Sequence, residues 1–318
     1  MTRLTEAQQL KLRGAIPRRL GIKTSPNEPL ERFSTMRVGG PADLFAEVRN
    51  LFELRGIVRF ARQRDLPLFL IGRGSDLVIS DAGIGGLVVL VRALALRNEG
   101  EQIRAEAGVQ MAKLATTGKN AGLSGLEFGL AIPGSVGGAV WANAGAHGSD
   151  TRGVLTSALV AGADGEERAL GPDELGMDYR ETQLKHSAAG RPDVVLEATF
   201  RLQPAGPDTI AERLADIRRW RREHQPIGQK SAGSVFRNPE GDSAGRIIDE
   251  LGLKEQRVGG AQVSPMHANF IVNTGGASAR DVRDLGDLVR ETVRRERGIE
   301  LQYEVEFVGD WPEAEEGT

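Results

Sequence analysis

Three glycine-rich stretches are the residues best suited to chemistry: Thr35-Met-Arg-Val-Gly-Gly-Pro-Ala42, Ile71-Gly-Arg-Gly-Ser-Asp-Leu77 and Ile132-Pro-Gly-Ser-Val-Gly-Gly-Ala139. Backbone without side chains can approach a ligand closely, and successive N–H groups in a turn form a nest for an anion such as a pyrophosphate. Gly72 and Gly74 begin a dinucleotide-binding fingerprint, but its last glycine is replaced by Leu77 and the residues that follow are strand-like rather than helical. A Walker loop is excluded too, because Gly118-Lys119 is followed by Asn120. Alone, the 71–77 loop fits an ordinary hairpin turn at least as well. Together the three loops suggest a large ligand held mostly by backbone.

The elements that must carry these loops follow from periodicity and caps. A helix is predicted over Leu51–Arg64, capped by Asn50 and stopped before Pro67. Strands are predicted at Leu68–Ile71, Leu77–Ser80 and Leu87–Val91, then a helix at Met111–Asn120, then strands in Val154–Ala161 and Val194–Leu202. Pro204-Ala-Gly-Pro207 reads as a linker. Beyond it Ile210, Leu214, Ile217 and Trp220 share one helical face up to Pro226. A short helix is predicted over Ala244–Leu251, and a longer one over Ala279–Arg297 between Ser278 and Gly298, with Val282, Leu285, Val289 and Val293 inward. Leu301, Tyr303, Val305 and Phe307 alternate with Gln302, Glu304 and Glu306, as on a half-buried strand. Residues 1–31 and the acidic 312–318 are expected to be peripheral.

Bulk properties narrow the classes. Glycine accounts for 41 of 318 residues, nearly twice the average share of about 7%, and is clustered rather than periodic. Net charge is −3, which gives no sign of a nucleic-acid or membrane-surface binder. No apolar run is long enough to span a bilayer. The chain contains no cysteine, so disulfides, thiolate metal sites and a cysteinyl cofactor link are excluded. No metal-ligand cluster is evident. The basic run Arg218-Arg-Trp-Arg-Arg222 fits the wet side of a helix better than a phosphate site. A cytoplasmic protein, monomeric or weakly dimeric, is expected.

The three loops, with Gly125-Leu-Glu-Phe, Asn143-Ala-Gly, Tyr179-Arg180, Ser231-Ala-Gly-Ser-Val-Phe-Arg-Asn-Pro239 and His267-Ala-Asn-Phe-Ile-Val-Asn273, occur in the order found in UDP-N-acetylenolpyruvoylglucosamine reductases. The chain resembles that family over roughly residues 33–309. The resemblance implies an α+β protein with a vanillyl-alcohol-oxidase-type FAD-binding domain and a C-terminal α+β substrate domain. The expected division is 1–75 with 299–318, then 76–206, then 207–298. It implies non-covalent FAD, NADPH as reductant and UDP-N-acetylglucosamine enolpyruvate as substrate. FAD would be held by Arg37, Gly39 and Gly40, by Gly72, Arg73, Gly74, Ser75, Asp76 and Leu77, and by Ile132, Pro133, Gly134, Ser135, Gly138, Ala139 and Asn143. Tyr179, Arg180, His224, Gly233, Ser234, Asn238, His267 and Asn269 would meet the substrate.

By the same resemblance Arg180 would anchor the substrate carboxylate, Ser234 would donate a proton, and Glu304 would help polarise the developing enolate. Four positions depart from the family pattern. Asp76 stands where Asn is common, with Arg73 beside it to offset the charge. His224 stands where Lys is common. Gln302 and Tyr303 replace Glu and Pro of Leu-Glu-Pro-Glu-Val. The segment 181–302 contains no tyrosine, which places the chain among members without a tyrosine-bearing lid. Two other readings remain open: a flavin oxidase of related fold, and a nucleotide-binding protein without catalysis. Against the first, none of His147, His186, His224 and His267 follows the first glycine loop, where a covalent flavin link would be expected.

Overall fold

The computed structural model describes residues 1–311, and the expected acidic tail at 312–318 lies outside the described residues. A four-stranded sheet runs in the order Thr24–Pro29, Pro41–Val48, Ile84–Val91, Leu68–Ile71. Ile84–Val91 is parallel to both its neighbours and buried throughout, which explains its unbroken apolar sequence. The sheet therefore extends to residue 91, past the division expected at 75. Helix Leu51–Arg62 covers it. Asn50 accepts the Glu53 N–H as N-cap, and Leu54, Ile57, Val58 and Ala61 face inward at helical spacing.

Residues 1–31 are not peripheral. Thr5 and Gln8 form a capping box that starts helix Glu6–Leu20, and Leu12 and Ile16, one turn apart, seat in the core of the first sheet. Thr24–Pro29 then adds the edge strand. Two inward side chains on a polar helix are too weak a periodic signal to read from sequence.

The second sheet is antiparallel throughout, in the order Glu167–Leu170, Leu155–Ala161, Val194–Arg201, Gln102–Glu106, Leu96–Glu99. Helices Met111–Asn120 and Val136–Trp141 pack on its apolar face with Phe200, Leu202 and Phe128. Helix Pro207–His224 joins this same core through Ile210 and Leu214. The expected boundary at 206/207 thus separates a helix from the core it completes. Trp220 departs from the expected inward face and is 41% exposed.

The third sheet orders Lys230–Ser234, Phe270–Asn273, Ala261–Val263 and Arg257–Val258, all antiparallel. Helix Ala279–Arg297 covers it with Val282, Leu285, Val289 and Val293, between a Ser278 capping box and a left-handed Gly298. The chain then crosses back. Leu301 and Val305 are buried as their alternation predicts. The expected single strand is split, however: Tyr303 bridges to Phe236, and only Glu306–Val308 forms a strand, parallel to Leu77–Ile79.

Candidate active site

The three glycine loops converge. A Cβ on Gly72 would collide with the Ser135 hydroxyl, so the second and third loops touch where a side chain has no room. Gly74 has φ +59°, and a Cβ there would strike the Phe33 carbonyl. Thr35 fastens the first loop to the second by donating its N–H to the Gly74 carbonyl at 2.9 Å. Its hydroxyl donates to the Ser231 carbonyl at 2.6 Å, which adds the strand that carries Ser234. Arg73 Nε is buried and has no partner among the described residues. A spare backbone cradle with an unpartnered guanidinium nitrogen fits an anionic, extended cofactor such as FAD.

Beside the cradle, the structure brings Arg180 and Glu304 together across 124 positions of sequence. Arg180 Nε donates to Glu304 Oε1 at 2.6 Å, and one Nη donates to the Gly145 carbonyl at 2.7 Å. The other Nη makes no hydrogen bond among the described residues, so one edge of the fork remains for a ligand carboxylate. Arg180 has φ +55°, an unfavourable conformation for a non-glycine residue that surrounding contacts must hold. The hold comes from Asn143, whose amide donates to the Asp178 carbonyl at 2.8 Å while its oxygen accepts the Arg152 N–H at 2.9 Å. Asn143 is 1% exposed. Its side chain therefore supports the Arg180 loop.

Ser234 ends the strand Lys230–Ser234 next to Gly233, which has φ +81°. The Val235 carbonyl accepts the Glu304 N–H at 2.8 Å, so Ser234 and Glu304 lie one residue apart across a backbone bond. The Ser234 hydroxyl makes no hydrogen bond among the described residues. Asn269 is likewise engaged within the protein. Its side chain is buried and clamps the Phe236 backbone at both ends, accepting its N–H at 2.9 Å and donating to its carbonyl at 2.8 Å. It fixes the turn after Ser234. Asn238 is exposed, and its oxygen accepts the Ala244 N–H, which starts helix Ala244–Glu250.

Three further expectations are qualified by geometry. Arg37 is exposed and donates to the Arg32 carbonyl rather than toward the glycine loops. Tyr179 is 51% exposed, with the Arg180 guanidinium 5.3 Å from its ring centre. Tyr303 stacks on Phe236 and donates its hydroxyl to Asp287, so this departure is taken up by core packing. Ser135 and Ala139 are buried at the start of helix Val136–Trp141, while Ile132, Pro133, Gly134 and Gly138 border the loop surface. His267 is half-buried; burial, then Lys254 and His224, lower its pKa and favour the neutral ring.

Sequence reasoning missed Lys185 and Glu306. The Lys185 side chain is 10% exposed, and its ammonium lies 3.0 Å from Glu306 Oε1 and 4.6 Å from the centre of the Trp141 ring. Its signal was its place in the segment after Tyr179-Arg180; that of Glu306 was its period-two relation to Glu304. With Asp76 they make a crowded group, joined through the Glu306 N–H to the Asp76 carbonyl at 2.8 Å. Burial, then repulsion by Glu306, push the Asp76 carboxyl up from 3.8 to about 6, with Lys185 opposing. A raised carboxyl pKa penalises the folded state only where the group must ionise. The penalty is therefore absent below the unfolded value and complete above the folded one. Asp76→Asn should stabilise the protein at pH 7.5, by at most about 3 kcal/mol before screening by solvent, and not at pH 3.5. Urea unfolding at both pH values checks this; an equal gain at each would remove the electrostatic cause.

Residues 225–308 match the family model described as UDP-N-acetylenolpyruvoylglucosamine reductase, C-terminal domain, and residues 42–171 match the one described as FAD binding domain. The chain is similar to UDP-N-acetylenolpyruvoylglucosamine reductase 2 of Symbiobacterium thermophilum, with 44% identity over 90% of this chain and 92% of that protein. It is 41% identical to the reductase of Bacillus subtilis strain 168, over 90% and 94% of the two chains. Among solved structures, the UDP-N-acetylenolpyruvylglucosamine reductase of Thermus caldophilus superposes with a TM-score of 0.76 at 35% identity, over 92% of this chain and 99% of that one.

Proposed function

Since the chain belongs to the UDP-N-acetylenolpyruvoylglucosamine reductase family, we propose that it reduces UDP-N-acetylglucosamine enolpyruvate to UDP-N-acetylmuramate with NADPH, through non-covalently bound FAD, in the cytoplasm. The FAD-binding match at 42–171 spans the second and third glycine loops and borders the first. Arg180, Ser234 and Glu304 are proposed as the catalytic residues. The unit built on Lys230–Ser234, Phe270–Asn273 and helix Ala279–Arg297 is proposed to bind the sugar nucleotide. The protein is proposed to act as a monomer or weak dimer. Two tyrosines, one in the Arg180 loop and one in core packing, leave none for a lid, which supports an open site.

The observation that carries this reading is the Arg180 fork, held by Glu304 and Gly145 with one edge open, while the Glu304 backbone bonds to Val235, the residue after Ser234. FAD, when bound, supplies hydride to the terminal carbon of the enolpyruvyl double bond. Negative charge then builds on the substrate carboxylate. Arg180 meets that charge with a cation that stays charged at working pH. Its bond to Glu304 fixes the fork before substrate arrives, so little reorganisation is left for the reaction. Ser234 stands ready to protonate the second carbon, a step that a weak acid can perform because the enolate is a strong base. The decisive assay adds the enolpyruvyl sugar to purified enzyme with NADPH and follows the nicotinamide absorbance. Consumption dependent on the sugar is expected. Oxygen consumption without NADPH would instead support a flavin oxidase.

A further inference from the structure

Trp220 is an exposed indole on a helix whose other large apolar residues are buried. It is not loose on the surface. The His224 ring lies parallel to it, with centres 4.8 Å apart and planes 12° apart, and the His147 ring meets it edge-on at 5.0 Å. The Trp220 carbonyl is 2.8 Å from His224 Nδ1, which fixes that ring in its parallel pose. His147 comes from elsewhere, the turn between Gly145–Ala146 and Ser149–Asp150, and holds φ +52°. A non-glycine residue in that conformation is unfavourable unless its surroundings require it. Burial and Arg221 lower the His147 pKa, which favours the neutral ring.

The position of this aromatic group matters more than its composition. The turn that supplies His147 also supplies the Gly145 carbonyl that holds Arg180 at 2.7 Å. On the other side, His224 lies within electrostatic reach of His267, as does Lys254. The group therefore stands where the helix Pro207–His224, the Arg180 support and the third sheet come together.

We propose that Trp220, braced by His147 and His224, is a stacking shelf for the nucleobase of a nucleoside-diphosphate reactant. The inference rests on the reductase reading, in which both reactants carry such a base. His224 covers one face of the indole, and the part of the ring system that remains exposed can take a base stacked on it. The helix needs no tryptophan here for its own packing, because Ile210, Leu214 and Ile217 already fill its inner face.

The test is Trp220→Leu in the FAD-loaded enzyme, with KM measured for each reactant and calorimetric binding of UDP and of NADP+. Stacking losses on this scale predict about a ten-fold or greater weakening for one nucleotide, with kcat little changed. A higher KM for the sugar with weaker UDP binding assigns the shelf to uracil. The same pair of changes for NADPH and NADP+ assigns it to the dinucleotide. Trp220→Phe, which keeps a ring, should retain most of the affinity and covers the case in which the leucine variant fails to fold. Unchanged constants for both nucleotides in a folded Trp220→Leu variant overturn the shelf and leave the reductase reading standing. A wild-type enzyme that does not oxidise NADPH on addition of the sugar overturns the reading itself, whatever Trp220 binds.

Discussion

Ser234→Ala leaves the oxidation of NADPH by the enzyme intact and slows delivery to the enolpyruvyl sugar by about 10²- to 10⁴-fold, the usual worth of a positioned proton donor. The structural reason for the split is that the Ser234 hydroxyl makes no hydrogen bond among the described residues, so its removal breaks none. The strand that carries it is held by backbone bonds to Phe270–Asn273 and by the Asn269 clamp on Phe236. Alanine keeps all of these. Rapid mixing separates the two halves: NADPH alone first, then the sugar added to the pre-reduced enzyme. Equal loss in both halves would make Ser234 part of the loop scaffold, and the proton would have to come from another group.

Arg180→Lys is expected to lower kcat/KM for the sugar by about 10²- to 10³-fold, comparable to the loss of one preorganised donor to a developing oxyanion. One ammonium cannot occupy the Glu304 and Gly145 positions and still reach a carboxylate, because the fork geometry of guanidinium is what serves all three. The same contact couples Glu304 to Arg180. Glu304→Gln should cost less alone, and the double variant should lose far less than the product of the two single losses. Multiplicative losses in that cycle would mean that the 2.6 Å contact has no part in holding the fork.

Much of the frame was legible because its signals are local. Asn50, Ser278 and Gly298 mark helix ends through hydrogen bonds to the next few residues, and the structure places those ends within two residues of expectation. The glycine loops were legible as a group, since close approach requires glycine whichever element comes near. What escaped reading depends on distant partners. The Leu12 and Ile16 contacts become a helix face only when the first sheet is present to receive them. Asn143 and Asn269 sit in family motifs, and a motif cannot distinguish a side chain that touches a ligand from one that fixes the backbone beneath it. The hydrogen bonds show that both side chains hold backbone. Lys185 was invisible for the same reason, because its meaning comes from Glu306, 121 positions later.

The Thr35 hydroxyl, which joins the glycine loop at Gly74 to the strand that ends at Ser234, would give the two proposed ligand sites a shared thermodynamic fate. One hydroxyl proton faces two carbonyls, 2.6 Å from Ser231 and 3.3 Å from Gly74. Any occupant that shifts the loop changes how that proton is shared, and so changes the free energy of the strand. Linkage is reciprocal: whatever factor the cofactor contributes to sugar-nucleotide affinity, the sugar nucleotide must return to the cofactor. Retention of flavin would then be a property of the working, substrate-bound protein as much as of the loops proposed to touch it.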